Sequence, residues 1–264
     1  MLKGKTALVT GSTSGIGLGI AKALAAQGAN IVMNGFGDID GPKSEIMAAG
    51  AASGVQVLHH GADMSKPSDI ADMMAVAAAT FGRVDILVNN AGIQHVARVE
   101  NFPADKWDAI IAINLSSAFH ATRLALPAMQ QADGGKGWGR IINIASVHGL
   151  VGSAEKSAYV ASKHGIIGLT KVVALENATS GVTCNAICPG WVLTPLVQKQ
   201  IDAKAAAGGI TNQAAVANLL GEKEPSLQFT TPDELGALAV FFCSPAGNNV
   251  RGVAWNMDGG WTAQ

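Results

Sequence analysis

The fold is decided by KTALVTGSTSGIGLGIAKALAAQG, residues 5–28. KTALVT (5–10) is β-like and runs into glycines. IGLGIAKALAAQ (16–27) has helical spacing and stops at Gly28, a good helix terminator. Strand, glycine turn and helix open a crossover unit, and the alternation repeats to the C-terminus. NIVMN (30–34), VQVLHH (55–60), DILVNN (85–90), RIINIAS (140–146), VTCNAIC (182–188) and VAWNMDG (253–259) read as strands. Helical patterns fill 42–53, 67–81, 104–131, 157–180 and 232–243. Continuous apolar strands between helices predict an α/β parallel sheet covered on both faces, with about seven strands. QADGGKGWG (131–139) is a glycine-rich loop, and 198–230, rich in Ala, Gly, Gln and Lys, suits a helical flap over a site.

Composition narrows the class. The 264 residues are 48% hydrophobic and 14% charged, enough for a large core, with no linker dividing them. A net charge of −1 gives no electrostatic grip on nucleic acid or anionic lipid, so neither is expected as a partner. Of the three cysteines, Cys184 and Cys188 share a strand, where four residues span ~13 Å, too far for a disulfide. They read as buried thiols of a cytoplasmic protein. His59-His60 lacks zinc-site spacing and reads as a strand end, so no metal is expected. The N-terminus has no apolar leader and no run reaches the ~18 apolar residues of a spanning helix; LGALAVFFC is too short, so no membrane association is expected.

In such a sheet, ligands sit beyond the carboxyl ends of the strands at the point where strand order reverses. The first strand ends in TGSTSGIG, with Gly11, Gly15 and Gly17 opening a helix. Glycines there let the backbone approach a pyrophosphate, which predicts a dinucleotide site. The second strand ends in NGFGD (34–38), with no Arg or Lys before Lys43. That disfavours a ribose 2′-phosphate and favours NAD. Phe36 is placed to flank the adenine, and Asp63, after the third strand, to meet its amine.

SAYVASKHG (157–165) holds the only tyrosine, Tyr159, with Lys156 three residues before it and Lys163 four after. If the helix has begun by Lys156, the three form one stripe. An ammonium nearby lowers a phenol's pKa, suiting it to proton transfer. Ser146 ends the preceding strand, where its hydroxyl can bind the same oxygen. NNAG (89–92) offers backbone and small side chains beside a flat ring. Asn114 interrupts an apolar helix, IAINLS (111–116), where it either holds a water or distorts the helix. PGWV (189–192) places a rigid turn where a nicotinamide would be covered.

TGSTSGIG, NNAG, Asn114, Ser146, YVASK and PG, in this order and over essentially the whole chain, resemble the short-chain dehydrogenase/reductase family. The resemblance implies a doubly wound parallel sheet, a Rossmann fold in one domain over 1–264, and a homotetramer. It implies that Ser146 positions the substrate oxygen and Tyr159 transfers the proton. Lys163 holds the nicotinamide ribose and lowers the tyrosine pKa, and Asn114 anchors a relay water. Cofactor contacts carried over are Gly11, Thr13, Gly15, Ile16, Gly17, Phe36, Asp63, Met64, Asn90, Ala91, Gly92, Tyr159, Lys163, Pro189, Gly190, Val192 and Thr194. The departure is Gly35, where NAD-using relatives often carry Asp.

Lys156 is outside the shared motif. An ammonium one turn from the phenol suits a substrate carboxylate. Gln94 and His95 follow NNAG, His148 follows Ser146, and Gln198 and Gln200 lie in the flap. Trp191 and Trp261 can wall a small apolar pocket. The set Gln94, Ser146, His148, Lys156, Tyr159, Trp191, Gln200 and Trp261 resembles that of members acting on small hydroxy acids. It implies reversible oxidation of a D-3-hydroxy acid to the keto acid by NAD. Alternatives are a 3-oxoacyl thioester reductase, against which the missing base near Gly35 and the tryptophans count, and a polyol dehydrogenase, which has no use for Lys156. A non-catalytic nucleotide sensor is disfavoured because Ser, Tyr and Lys are all present.

Overall fold

The computed structural model describes residues 1–263, with Leu196 described by its backbone alone; Gln264, the end of the tail, lies outside the described residues. β1 (Thr6–Val9), β2 (Asn30–Asn34), β3 (Val57–His60), β4 (Ile86–Asn89), β5 (Gly139–Ile144), β6 (Val182–Pro189) and β7 (Ala254–Met257) form one sheet in the order β3-β2-β1-β4-β5-β6-β7. Every pairing is parallel. The pleat sends alternate residues of a strand to opposite faces. Ala7 and Val9 thus pack with Ile20, Leu24, Leu235 and Phe242, while Leu8 packs with Ile70, Met73 and Ala121. Burial on both faces is why the strands are apolar runs and not alternating ones.

The first face is covered by α1 (Gly15–Ala26), α2 (Asp40–Ala49) and α9 (Pro232–Cys243). The second carries α3 (Pro67–Phe81), α4 (Ala104–Ile111), α5 (Ser117–Gln130) and α6 (Ser157–Glu176). α9 opens with Pro232 after a Thr231–Glu234 capping box, a strong start for a helix that packs along α1. α7 (Pro195–Gly208) and α8 (Asn212–Gly221) occupy the predicted flap, capped by the Thr194 and Thr211 hydroxyls. Their small core of Val197, Ile201, Ala205, Ala215 and Leu219 closes against Trp191.

Several sequence-based boundaries move. The helix expected over 42–53 spans Asp40–Ala49, then a separate turn over Ala51–Ser53. The helix expected over 157–180 begins at Ser157, so Lys156 is its N-cap and not part of its face. It ends at Glu176 because Asn177 turns its amide back onto the Val173 carbonyl. The helix over 104–131 is interrupted by a π-turn, Ala112–Ser116, centred on Asn114. That continuous stretch, Ala104–Gln130, also contains an 18-residue window with a mean hydropathy of 1.3, long and apolar enough by length and composition to cross a membrane. Here α5 lies against α3, β4 and β5, as a core helix does. All three cysteines are buried and unpaired.

Candidate active site

Because every strand is parallel, all carboxyl ends share one edge, and the strand order reverses between β1 and β4. A cavity of about 610 Å³ runs along that edge, from Phe36 beyond β2 to Trp261 beyond β7. At its centre Gly11 and Gly15 take the left-handed conformation, with φ of 62° and 55°. Ser14 leaves the α1 N-terminus without a side-chain cap, so its first N–H groups remain for a ligand. Asn90 fixes this turn by donating from its amide to the carbonyls of Thr10 (2.8 Å) and Gly11 (3.0 Å). The Thr10 hydroxyl accepts from the backbone of both Asn90 and Ala91. An uncapped helix start opening on a long cavity fits a dinucleotide.

Thr13, Ile16, Phe36, Asp63, Met64, Ala91, Gly92, Pro189, Gly190, Val192 and Thr194 line the cavity, with Gly11, Gly15 and Asn90. Gly17 does not. It lies behind the turn, where a Cβ would collide with the Gly11 carbonyl and the Asn90 amide, so its part is packing. Asp63 reaches the cavity, but its carboxylate accepts from the Ser65 backbone and hydroxyl, which hold it below its ordinary pKa. Gly35 has φ 141°, and a Cβ there would stand 2.8 Å from the Thr13 hydroxyl, which itself donates to the Phe36 carbonyl. A side chain at position 35 would therefore have to displace the Thr13 hydroxyl and adopt a strained backbone. A Gly35→Ala variant is expected to melt roughly 5 °C lower by differential scanning fluorimetry, since such strain costs about 1–3 kcal/mol. A Thr13→Ala change in the same chain is expected to recover part of the loss.

At the other end Ser146, His148, Lys156, Tyr159, Lys163, Trp191, Gln94, Gln200 and Trp261 converge on the cavity. Ser146 is buried after β5, and its hydroxyl accepts from the His148 backbone (3.2 Å). The His148 ring lies edge-on to Tyr159 and to Trp261, with centroids 6.0 and 5.4 Å away. Burial, reinforced by Lys156 and Lys223, lowers the His148 pKa to about 4, so its imidazole is neutral at neutral pH. Burial likewise lowers Lys163 to about 8; its ammonium donates to the Ile144 carbonyl (2.7 Å) and lies 5.6 Å from the Tyr159 ring centre.

The tyrosine departs from expectation. Its pKa is raised, because burial outweighs the hydrogen bond to Ser146 that lowers it. Lys163 faces a carbonyl, and spacing alone does not reveal that competitor.

Asn114 does not line the cavity either. Its side-chain oxygen accepts from Ile93 N–H (2.8 Å) and its amide donates to the Ile93 carbonyl (2.9 Å). The π-turn thereby pins the Gly92–Ile93 wall. His95 turns away to meet Phe102, and Gln198 donates to Asp202 on the exposed side of α7. Lys156 is half-buried, 5.8 Å from the Trp191 ring centre, and is held below the usual lysine range by burial and by Lys204. Among the described residues it makes no ion pair. The Trp191 and Trp261 rings lie 6.4 Å apart and close the end. Apolar liners such as Ile113 and Val147 carry no chemical signal in the sequence.

Residues 5–205 match the short chain dehydrogenase family, and the chain belongs to it. It is 69% identical to D-beta-hydroxybutyrate dehydrogenase of Cupriavidus necator over the full length of both chains. It is 56% identical to the enzyme of that name from Rhizobium meliloti, over 98% of this chain and 99% of the relative. Among solved structures it resembles a variant of actinorhodin polyketide ketoreductase with NADPH, at a TM-score of 0.88 and 30% identity over the whole of both chains.

Proposed function

We propose that the chain is an NAD-dependent dehydrogenase that oxidises D-3-hydroxybutyrate reversibly to acetoacetate. The observation that carries this reading is Lys156, a half-buried ammonium without a carboxylate partner among the described residues, in the wall beside Ser146, Tyr159 and two indoles. A buried cation calls for an anion. A short apolar tail beside it suits the Trp191–Trp261 corner. The names of the two relatives support the same substrate.

In this reading the substrate carboxylate lies on Lys156, flanked by Gln94 and Gln200. Neutral His148 gives up its backbone N–H to hold the Ser146 hydroxyl, which orients the substrate oxygen. Tyr159 takes the hydroxyl proton in oxidation and returns it in reduction. NAD, held along the Gly11–Gly15 turn, would supply the hydride acceptor for C3. Lys163 holds the nicotinamide ribose, and Asn114 acts from behind the cavity by fixing the Gly92–Ile93 wall through its Ile93 contacts. The chain works as one domain, 1–264, with 198–230 as a substrate flap. It works in the cytoplasm as a homotetramer, for which the exposed Trp255 on the edge strand β7 offers an apolar face.

Among the described residues, the only cations lining the cavity are Lys156 and Lys163, both at the substrate end. The end near Phe36 carries Asp63 and leaves a 2′-phosphate without a partner. Steady-state NADH or NADPH formation from D-3-hydroxybutyrate tests this: NAD should exceed NADP in kcat/KM by about a hundredfold or more, and equal use of both cofactors would overturn the cofactor assignment. The pH profile follows from the raised tyrosine pKa. Oxidation needs the phenolate, so its kcat is expected to climb steadily through the alkaline range. Reduction needs the phenol and is expected to stay level over that range, falling only above the ordinary tyrosine pKa.

A further inference from the structure

Glu224 lies just beyond α8 and is 1% exposed. One carboxylate oxygen accepts from the backbone N–H of Trp191, and a Cβ on Gly190 would overlap that oxygen. The other oxygen is buried with no hydrogen-bond partner among the described residues. The backbone around Glu224 is anchored to the flap, since Glu224 N–H donates to the Leu220 carbonyl (2.7 Å). The same segment then straps the two loops that carry the indoles. Ser226 N–H donates to Gly259 O (3.0 Å), Thr230 N–H to Trp191 O (3.0 Å), and the Thr230 hydroxyl to Met257 O (3.0 Å). Trp191 also packs into the small core of the flap. A buried carboxylate is costly, and hydrophobic packing would serve a merely structural strap.

We propose that Glu224 is a positioning residue which, by holding the Trp191 N–H, ties the flap to the Trp191–Trp261 corner and so sets how tightly the corner grips the substrate. The inference rests on the substrate reading above. Trp191 meets ground state and transition state alike, so loosening it removes uniform binding and raises KM with little change in kcat. Burial, together with Asp258, raises the Glu224 pKa to about 7, against the Trp191 N–H, which favours the carboxylate.

The test compares the purified wild type with Glu224→Ala, Glu224→Gln and Glu224→Asp, by steady-state kinetics and by hydrogen exchange of the peptide spanning residues 189–192. Glu224→Ala is expected to raise KM for D-3-hydroxybutyrate about tenfold, to leave kcat within about threefold and to speed exchange of that peptide. Glu224→Gln keeps an acceptor for the Trp191 N–H and is expected to return KM to within about threefold of wild type. If the alanine variant does not fold, Glu224→Asp carries the test, because the shorter acid withdraws from Trp191 and should raise KM in the same way. Unchanged KM and exchange, equal losses in kcat and KM, or no rescue by Gln would each overturn the proposal. A wild type inactive on D-3-hydroxybutyrate would sink the substrate reading instead, while faster exchange in the variants would still uphold the tie between Glu224 and Trp191.

Discussion

Replacing Tyr159 with Phe is expected to lower kcat by at least about a thousandfold. NADH affinity, read by fluorescence titration, should stay within about twofold of wild type. The ring itself is retained, so its edge-on contact with His148 at 6.0 Å should persist and only the hydroxyl is lost. Tyr159 is the only tyrosine in the chain, so no second phenol can substitute for it. Lys163 cannot take the proton in its place while its ammonium donates to the Ile144 carbonyl. A Phe variant that kept more than a few per cent of kcat would remove the tyrosine from the proton path.

Lys156→Ala should act on binding and not on chemistry. Removing one partner of a buried ion pair costs about 2–5 kcal/mol, so KM for the hydroxy acid should rise about a hundredfold or more. Lys156→Arg should fall between the two, since its fork matches a carboxylate but needs more room. Activity on butan-2-ol, which has the same hydroxyl and no carboxylate, should be weak in the wild type and unaffected by the change. A Lys156→Ala variant with an unaltered KM for D-3-hydroxybutyrate would move the carboxylate site elsewhere.

The parts of this enzyme that obey short-range rules were readable before the structure. The strand, glycine turn and helix of 5–28, the Pro67 helix start and the Pro232 start all lie where local chemistry puts them. The corrections arise where a distant group decides. Asn114 marked a disturbance in its helix, but that it forms a π-turn bonded to Ile93 depends on a loop 21 residues away. Gly35 read as a missing acid; the reason is Thr13, packed across the strand end. The tyrosine stripe brings Tyr159 and Lys163 together, yet the net shift on the phenol is upward, because its burial outweighs the Ser146 hydrogen bond that lowers it, while a backbone carbonyl claims the lysine. Glu224 gave no signal at all. In GEKEPS (221–226) it looks like any solvated acid of a polar segment, and only the packing of α8 over Trp191 makes it a buried one.

The measurement that bears most directly on the whole account is the initial rate of NADH formation from purified protein, NAD and each enantiomer of 3-hydroxybutyrate in turn. In the proposed reading, Lys156, the indole corner and the Ser146–Tyr159 pair, all in the cavity wall, would fix three points of the substrate, and three points distinguish mirror images. Rapid NADH formation from the D-form, with the L-form slower by about a hundredfold or more, is the predicted result. Equal rates on both, or no rate on either alongside good turnover of a neutral alcohol, would contradict it.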